Sequence, residues 1–566
     1  MNLRSFFFIL FCFISQRSVA QEFKFLIQFK DKNNSGFHLS DPSSFLSIKS
    51  IQRKLKLHIG IDSTDLPVTL DYIDSLSALT SVKILNKSRW FNQVLISISD
   101  TAVLHQIRQF PFVLSSVSVN NHRLKKITDS ISVNKYSGWN TSISSENLKT
   151  QSSNTLPINY GASASQIQIH HGDYLHILGF QGESMTIAIL DNGFNNYLHN
   201  PAFDSLRNSQ RILGSYDFVH QKKTVDEESI HGSNCFSIIA ADMPGTLVGS
   251  APKASYWLFK TEDDDSESPV EEQNWVAAAE FADSVGVDLI TTSLGYSYFD
   301  DSVYDLTYSE RNGHTALVSL AANMAVAKGM IVTASAGNSG FEPAEKKYVV
   351  CPADGDRVYA VGAVSAIGII AGFSSWGPNG GGQVKPDGVS VGSGTSFIGP
   401  DGQLYTGGGT SYANPNLAGL ITCLWQAFPE FGPTDILSAV RQSSNQYENP
   451  DDRYGYGLPN FEKAYSTLLI KSLSARNPSA GHDQVYIFPV PFNKNFNVSI
   501  QPTETGTASL QLLAVSGKLI QTESFQVTAR LPQLFEFKVM QPLTTGVYFI
   551  RYNAPHYGKT IKLLKN

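Results

Sequence analysis

The strongest indication of the fold is an almost continuous apolar run that ends in a carboxylate and a turn, Met185-Thr186-Ile187-Ala188-Ile189-Leu190-Asp191-Asn192-Gly193. A run that is apolar without alternation predicts a strand buried on both faces. Similar runs over 255–259, 287–291 and 330–334 are separated by stretches with helical apolar spacing. This alternation predicts an α/β fold in three layers, a parallel sheet with helices on both faces. Ligands and chemistry gather at the carboxyl edge of such sheets.

Four polar residues stand at predicted element boundaries. Asp191 directly follows the first strand, and Asn338 follows the strand over 330–334. His231 opens a helical stretch of small residues, and Ser411 lies between a run of glycines and an apolar helix. Taken singly, each has a simpler interpretation as a turn Asp or Asn, a surface His or a helix-capping Ser. No second His or Cys at metal spacing accompanies His231, which disfavours a zinc site.

The residue types and their order suit nucleophilic catalysis. The helix after Ser411 directs free N–H groups at its hydroxyl, and an amide such as that of Asn338 can donate to a developing oxyanion. Asp191, His231, Asn338 and Ser411 follow one another at intervals of 40, 107 and 73 residues. The order Asp, His, Ser is that of subtilisin and differs from the orders in chymotrypsin and in α/β-hydrolases. Over roughly residues 160–470 the chain resembles the subtilisin-like serine peptidases, the subtilase family.

Several further segments carry the same resemblance, at 249–254, 292–295, 373–377, 385–387 and 455–460. The resemblance implies a catalytic triad of Asp191, His231 and Ser411, with Asn338 in the oxyanion hole. It implies that substrate is bound by Ser293, Leu294, Gly295, Ala336 and Gly337. The stretch Ser293-Leu294-Gly295 predicts a specificity pocket open enough for a large apolar side chain.

The chain departs from the family pattern at a few positions near these motifs. They are Asn192, Asn234 and Asn416, and none of them is a triad or oxyanion position. The departures therefore bear on fine specificity rather than on activity.

The implied chemistry requires no cofactor, and we identify no metal ligands. Calcium stabilises many subtilases, so the resemblance allows it as a stabiliser, but the sequence offers no recognisable ligand loop. An acidic run over 262–267, with Glu271 and Glu272 beyond it, could favour basic substrate residues or hold a cation. We favour a solvated acidic loop that leads into a helix N-terminus, where Glu is stabilising.

The N-terminal part of the chain predicts export and processing. Residues 1–20 combine Arg4, an apolar run and small residues before a cut, the pattern of a signal peptide. Residues 21–126 have the strand and helix patterns of a small α+β unit in the place of a subtilase pro-segment, which implies an intramolecular chaperone and inhibitor. The polar stretch 127–159 is the predicted linker with the processing site, and 160–470 is the predicted catalytic domain.

The C-terminal part predicts a different kind of unit. After a second linker at 471–485, residues 486–566 show short alternating runs separated by Gly and Pro turns, which predicts an all-β sandwich. The turns and the basic end resemble the sorting domain of the type IX (Por) secretion system. This resemblance makes the type IX machinery a partner, and a carbohydrate-binding or adhesive sandwich remains an alternative.

Charge and composition restrict the function classes. The formal net charge of −6 argues against a general nucleic-acid binder. Residues 21–126 carry 14 Lys and Arg against 8 Asp and Glu, whereas residues 127–485 carry 19 against 38. Complementary charges of this kind suit a pro-segment that docks within its own chain. Of the four Cys, three remain after signal removal, which excludes a disulfide-dense scaffold and favours buried free thiols.

Together these features predict a secreted or surface-located serine endopeptidase made as a zymogen, with protein or peptide substrates. No segment after the signal peptide is long and apolar enough for a transmembrane helix. The alternative is a surface adhesin or pseudoenzyme that uses the same fold for binding, because a fold does not fix a function.

Overall fold

The computed structural model describes residues 22–119, 141–142, 158–227, 229–476, 481–488, 490–492, 494–531 and 533–565. The predicted signal peptide and most of the predicted linker 127–159 lie outside the described residues. Within the described part of the chain, no helix has both the length and the apolar character needed to cross a bilayer. Below, residues 22–119 are called the N-terminal unit, 158–476 the central unit and 481–565 the C-terminal unit.

The N-terminal unit is the α+β structure that the sequence predicts. Its antiparallel sheet has the order β2-β3-β1-β4, and alternate residues of β1 such as Ile27 and Phe29 point into the core. The elements are β1 (Phe23–Phe29), α1 (Ile48–Lys56), α2 (Leu70–Ser77), β2 (Val82–Ser88), β3 (Gln93–Ile98), α3 (Val103–Gln109) and β4 (Val113–Ser118). The unit therefore has a core of its own beside the central unit.

The central unit is built on a nine-stranded sheet. Its order is β5-β15-β14-β13-β12-β11-β6-β10-β7, and the seven strands from β14 to β7 run parallel. The strands are β5 (Thr141–Ser142), β6 (Thr186–Asp191), β7 (Ile212–Asp217), β10 (Ser255–Lys260), β11 (Leu289–Thr292), β12 (Ile331–Ser335), β13 (Tyr359–Ser365), β14 (Gly388–Ile398) and β15 (Leu404–Gly408), with a separate hairpin of β8 (Asp242–Met243) and β9 (Leu247–Val248). Beyond β14 the sheet continues antiparallel through β15 to β5, which the sequence did not predict.

Helices cover both faces of this sheet, as predicted. They are α4 (Ala164–Gln168), α5 (Gly172–Ile177), α6 (Asp204–Asn208), α7 (His231–Ala240), α8 (Pro269–Val285), α9 (Leu317–Ala327), α10 (Thr410–Ala427), α11 (Pro433–Ser443) and α12 (Phe461–Arg476). Strand β6 shows the reason for the arrangement. Ile187 and Ile189 pack into a core with α7 and α10, whereas Ala188 and Leu190 face the core formed with α8 and α9.

The C-terminal unit is all-β, as predicted. A three-stranded sheet, β16-β17-β20, and a four-stranded sheet, β19-β18-β21-β22, enclose one core that includes Val498, Leu510 and Ile550. The strands are β16 (Gln484–Phe488), β17 (Asn495–Gln501), β18 (Gly506–Ala514), β19 (Leu519–Val527), β20 (Gln533–Lys538), β21 (Gly546–Ala554) and β22 (Tyr557–Lys565). The domain boundaries inferred from the sequence stay predictions, and α12 continues to Arg476, inside the predicted linker 471–485.

The cysteines of the central unit behave as the sequence predicts. Cys235, Cys351 and Cys423 are buried and free. None of these three thiols is therefore part of a disulfide scaffold.

Candidate active site

The site begins with a buried carboxylate and an imidazole. Asp191 is the last residue of β6 and is fully buried, and His231 is the first residue of α7. The Asp191 Oδ1 atom lies 2.7 Å from His231 Nδ1 and also accepts the N–H of Asn192 at 2.9 Å. A Cβ at position 232 would lie 2.2 Å from the Gly193 carbonyl oxygen, so only Gly232 lets the start of α7 approach this turn.

The electrostatics of this pair make His231 a stronger base than an isolated imidazole. Burial disfavours the charged imidazole, but the adjacent Asp191 carboxylate outweighs it and raises the pKa of His231 well above its usual value. The same hydrogen bond fixes the orientation of the ring, because Nδ1 faces Asp191. The other ring nitrogen, Nε2, lies 4.0 Å from the Cys235 sulfur.

The candidate nucleophile lies at the N-terminus of α10. Ser411 is the second residue of this helix, where backbone N–H groups have no intrahelical acceptor. Pro415, four residues later, has no N–H to give the Ser411 carbonyl, which instead accepts the Ser293 hydroxyl at 2.9 Å and the Cys235 thiol at 3.3 Å. The Ser411 hydroxyl donates to the Ser293 carbonyl at 3.3 Å.

Two N–H donors face one small space beside Ser411. The Asn338 Oδ1 atom accepts both the backbone N–H of Thr410 (2.8 Å) and its hydroxyl (2.9 Å), which turns the Nδ2 group the other way. A Cβ built on Gly409 would lie 3.8 Å from Asn338 Nδ2 and 3.7 Å from the Ser411 backbone nitrogen. Both donors therefore lie within 4 Å of one point beside Ser411, close enough together to share a bound oxygen.

These groups border a single cleft of about 500 Å³. It is lined by His231, Ser293, Leu294, Gly295, Gly337, Asn338 and Ser411, so the structure brings these sequence-predicted residues together. The side chain of Ala336 is fully buried instead. Val350, Phe341 and Tyr298 also line the cleft, and no motif in the sequence marked them.

The acidic run beside the cleft corrects one expectation. The sequence favoured a solvated loop, and Asp264 and Asp265 are exposed. Glu262 and Glu271 are buried, however, and the Tyr296 hydroxyl donates to Glu262. The predicted helix N-terminus is confirmed, because Glu271 and Ser268 form a capping box at the start of α8.

Carboxylates grouped closely enough for a cation occur among the described residues, but they do not fit an open calcium site. Besides Asp191 with His231, there are two groups, one of Asp217, His220 and Glu227 and one of Glu262, Glu267 and Glu271. The first is held by ion pairs from Lys222 and Lys260, and the second accepts hydrogen bonds from the protein. No step proposed below depends on calcium.

An Asp–His pair and a serine in this chain order, at the carboxyl edge of a parallel sheet, are the arrangement of the subtilisin class of serine peptidases. Comparison with known proteins agrees. Residues 182–457 match the Subtilase family, 24–138 match the Peptidase S8 propeptide domain of Bacteroidota, and 486–566 match the secretion system C-terminal sorting domain. Residues 182–457 are therefore a domain of the subtilase family of serine peptidases, and the sorting domain directs the protein to the cell surface or the extracellular space.

Individual relatives match between half and two thirds of the chain. Subtilisin DY of Bacillus licheniformis is 28% identical over 299 residues, which are 53% of this chain and 97% of that protein. Serine protease AprX of Bacillus subtilis is 26% identical over 313 residues, 50% of this chain and 66% of that protein. The thermostable alkaline protease of Halalkalibacterium halodurans is 25% identical over 367 residues, 63% and 84% of the two chains.

Proposed function

We propose that this subtilase is a secreted serine endopeptidase that hydrolyses internal peptide bonds of proteins through an acyl-enzyme. The observation that carries the proposal is the 2.7 Å contact between Asp191 and His231, in a cleft that Ser411 also borders. The names of its relatives, subtilisins and serine proteases, support the same reaction.

In the proposed mechanism Ser411 attacks the peptide carbonyl. Its hydroxyl turns from the Ser293 carbonyl towards His231, which takes the proton as general base while Asp191 stabilises the imidazolium. The carbonyl oxygen becomes an oxyanion that accepts the N–H groups of Asn338 and Ser411. His231 then returns the proton to the leaving amine, and water releases the acyl group by the same steps in reverse order.

The propeptide domain and the sorting domain give this enzyme a maturation route. We propose that the N-terminal unit guides folding and blocks the central unit until it is cut in the region 127–159. The type IX secretion machinery is the proposed partner of the C-terminal unit.

The nucleophile is tested by mutation together with covalent labelling. Wild-type protein should hydrolyse casein and should be labelled by a serine-directed phosphonate, and Ser411→Ala should lose both properties. Ser209→Ala, which alters an exposed serine of the same unit, is the matched control and should keep both. Casein hydrolysis by Ser411→Ala at the wild-type rate would show that the nucleophile is another residue.

The same assay separates the enzyme from the binding alternative. A folded, processed wild-type protein that neither cleaves casein nor reacts with the phosphonate would support an adhesin or a pseudoenzyme. N-terminal sequencing of the secreted wild-type protein would at the same time locate the processing site.

A further inference from the structure

Val350, which no sequence motif marks, lies between two walls of the cleft. One wall is the segment that contains Gly295, and the other is the segment that contains Gly337. A Cβ at position 295 would lie 2.5 Å from Val350 Cγ2, and a Cβ at position 337 would lie 3.1 Å from Val350 Cγ1. The isopropyl group of Val350 therefore occupies the space that opens between Gly295 and Gly337. It is 9% exposed and lines the cleft.

The backbone holds Val350 in this place from both sides. Its N–H donates to the Ala336 carbonyl at 3.2 Å, on one wall. The carbonyl of the next residue, Cys351, accepts the N–H of Tyr296 at 2.8 Å, on the other wall. Since valine is branched at Cβ, it has little rotamer freedom with which to swing aside.

The space between these walls is where the acyl side of a substrate would enter. One wall carries Ser293, whose carbonyl accepts the Ser411 hydroxyl, and the other leads directly into Asn338, a proposed oxyanion donor. An acyl group on Ser411 with its oxygen beside Asn338 carries its side chain on the Cα atom that is bonded to the reacting carbon. That side chain, the P1 residue of the substrate, must therefore extend between the walls towards Val350.

We propose that Val350 closes the P1 pocket and that this enzyme cleaves after small side chains such as Ala in preference to large aromatic ones such as Phe. This inference rests on the proposed endopeptidase function and names its substrate class. It replaces the expectation of a wide pocket, which came from Ser293-Leu294-Gly295 alone. A single methylene in an apolar pocket changes kcat/KM by about 10- to 200-fold, so a closed pocket should discriminate Ala from Phe by at least about tenfold.

The test is a series of peptides that differ only at P1, as Ala, Leu and Phe, with enzyme concentrations set by phosphonate titration of active sites. For the wild-type enzyme we expect kcat/KM for Ala to exceed that for Phe at least about tenfold. Val350→Gly should raise the ratio of kcat/KM for Phe to that for Ala by at least about tenfold. Val350→Ala should give an intermediate ratio, and it decides the question if Val350→Gly does not accumulate as folded protein.

The matched control is Val349→Ala, which shortens the neighbouring buried valine, a residue that does not line the cleft. It should keep the wild-type ratio of Ala to Phe, which separates a shape effect from a general loosening of the loop. Wild-type preference for Phe, or an unchanged ratio in both Val350 variants, would overturn the inference and leave the endopeptidase proposal intact. Failure to cleave any peptide or to react with the phosphonate would overturn the proposed function, and this inference with it.

Discussion

The two units that flank the subtilase domain contact it in opposite ways. The N-terminal unit brings charged side chains into a buried interface, where Arg53, Lys54 and Arg89 all pair with the fully buried Asp283 of α8. The C-terminal unit contacts the domain where β17 meets α12, and there the Asn497 amide donates to Glu462 at 3.2 Å. The N-terminal unit is thus a charged complement of the domain, whereas the C-terminal unit is attached more loosely.

A second group of contacts strengthens the comparison. The carboxylate of Glu280, also on α8, accepts the Ser88 hydroxyl and the backbone N–H groups of Arg89 and Trp90 from the N-terminal unit. A buried ion pair is favourable only if its geometry is good and all its members are present, and removal of one partner costs about 3–5 kcal/mol. The N-terminal unit therefore recognises one particular surface, whereas the C-terminal unit needs only to remain accessible.

The largest expected effect is on folding. The domain has a sheet with many long-range parallel pairings, which form slowly, and its buried acids need their partners. Refolding of the Ser411→Ala central unit without residues 21–126 should be at least about 100-fold slower than with them, followed by circular dichroism. Removal of residues 481–566 is the control and should change the rate by less than about twofold. Equal rates with and without the N-terminal unit would contradict the comparison.

The next effect concerns a single buried carboxylate. Asp283→Asn in the processed enzyme would deprive Arg53 and Arg89 of the carboxylate that they share and would leave Lys54 with Asp65 alone. The affinity of the N-terminal unit added in trans should therefore fall by about 100- to 1000-fold. The measurement is calorimetric titration with residues 22–119.

The matched control uses an ion pair at the edge of the same interface. Lys49 pairs with Asp288 at 2.7 Å, but the Lys49 side chain is 40% exposed. Lys49→Ala should therefore weaken binding by no more than about fivefold. Similar losses for the two variants would mean that burial does not decide the strength of these contacts.

The sequence predicted the fold and the candidate site where the signal is local. Asp191 and Asn338 directly follow apolar strands, and Ser411 precedes an apolar helix, so element boundaries predict where they lie, whereas their roles come from the family resemblance. Val350 could not be found in this way, because its proposed role depends on where the loop after β12 passes the ends of the neighbouring strands β11 and β12.

Helix α1 shows a second reason why the sequence does not predict every buried contact. Its apolar residues Ile48 and Leu55 are exposed, at 72% and 67%, whereas Arg53 and Lys54 are buried. An apolar pattern predicts the face that is buried in the unit's own core. It does not predict a charged face that becomes buried against another unit, because that burial depends on partners such as Asp283.

A smaller effect is expected from pH. Asp65 of the N-terminal unit is fully buried, which raises its pKa, but the ammonium groups of Lys54 and Lys328 outweigh burial and hold the pKa below its ordinary value of 3.8. A lowered carboxyl pKa means that the stabilisation is present above about pH 4 and is lost as the pH falls through the lowered value. The affinity of the N-terminal unit for the Ser411→Ala enzyme should therefore decline severalfold below about pH 4.

The share of Asp65 in this decline can be isolated by substitution. Asp65→Asn should bind more weakly at neutral pH and lose part of the acid dependence, whereas Asp71→Asn, at an exposed position, should keep the wild-type profile. A wild-type acid profile in Asp65→Asn would assign the effect to other carboxylates of the interface.

The smallest effect is expected where the C-terminal unit meets the domain. Asn497→Ala removes the hydrogen bond to Glu462, but that carboxylate keeps the His171 imidazole at 3.6 Å, and this neighbour lowers the pKa of Glu462. Because the Glu462 carboxylate still has a partner, the free energy of unfolding of the subtilase domain should change by less than about 0.5 kcal/mol in urea titrations. A loss of more than about 2 kcal/mol would mean that the sorting unit is part of the domain's folded structure, and the contrast between the two flanks would then be wrong.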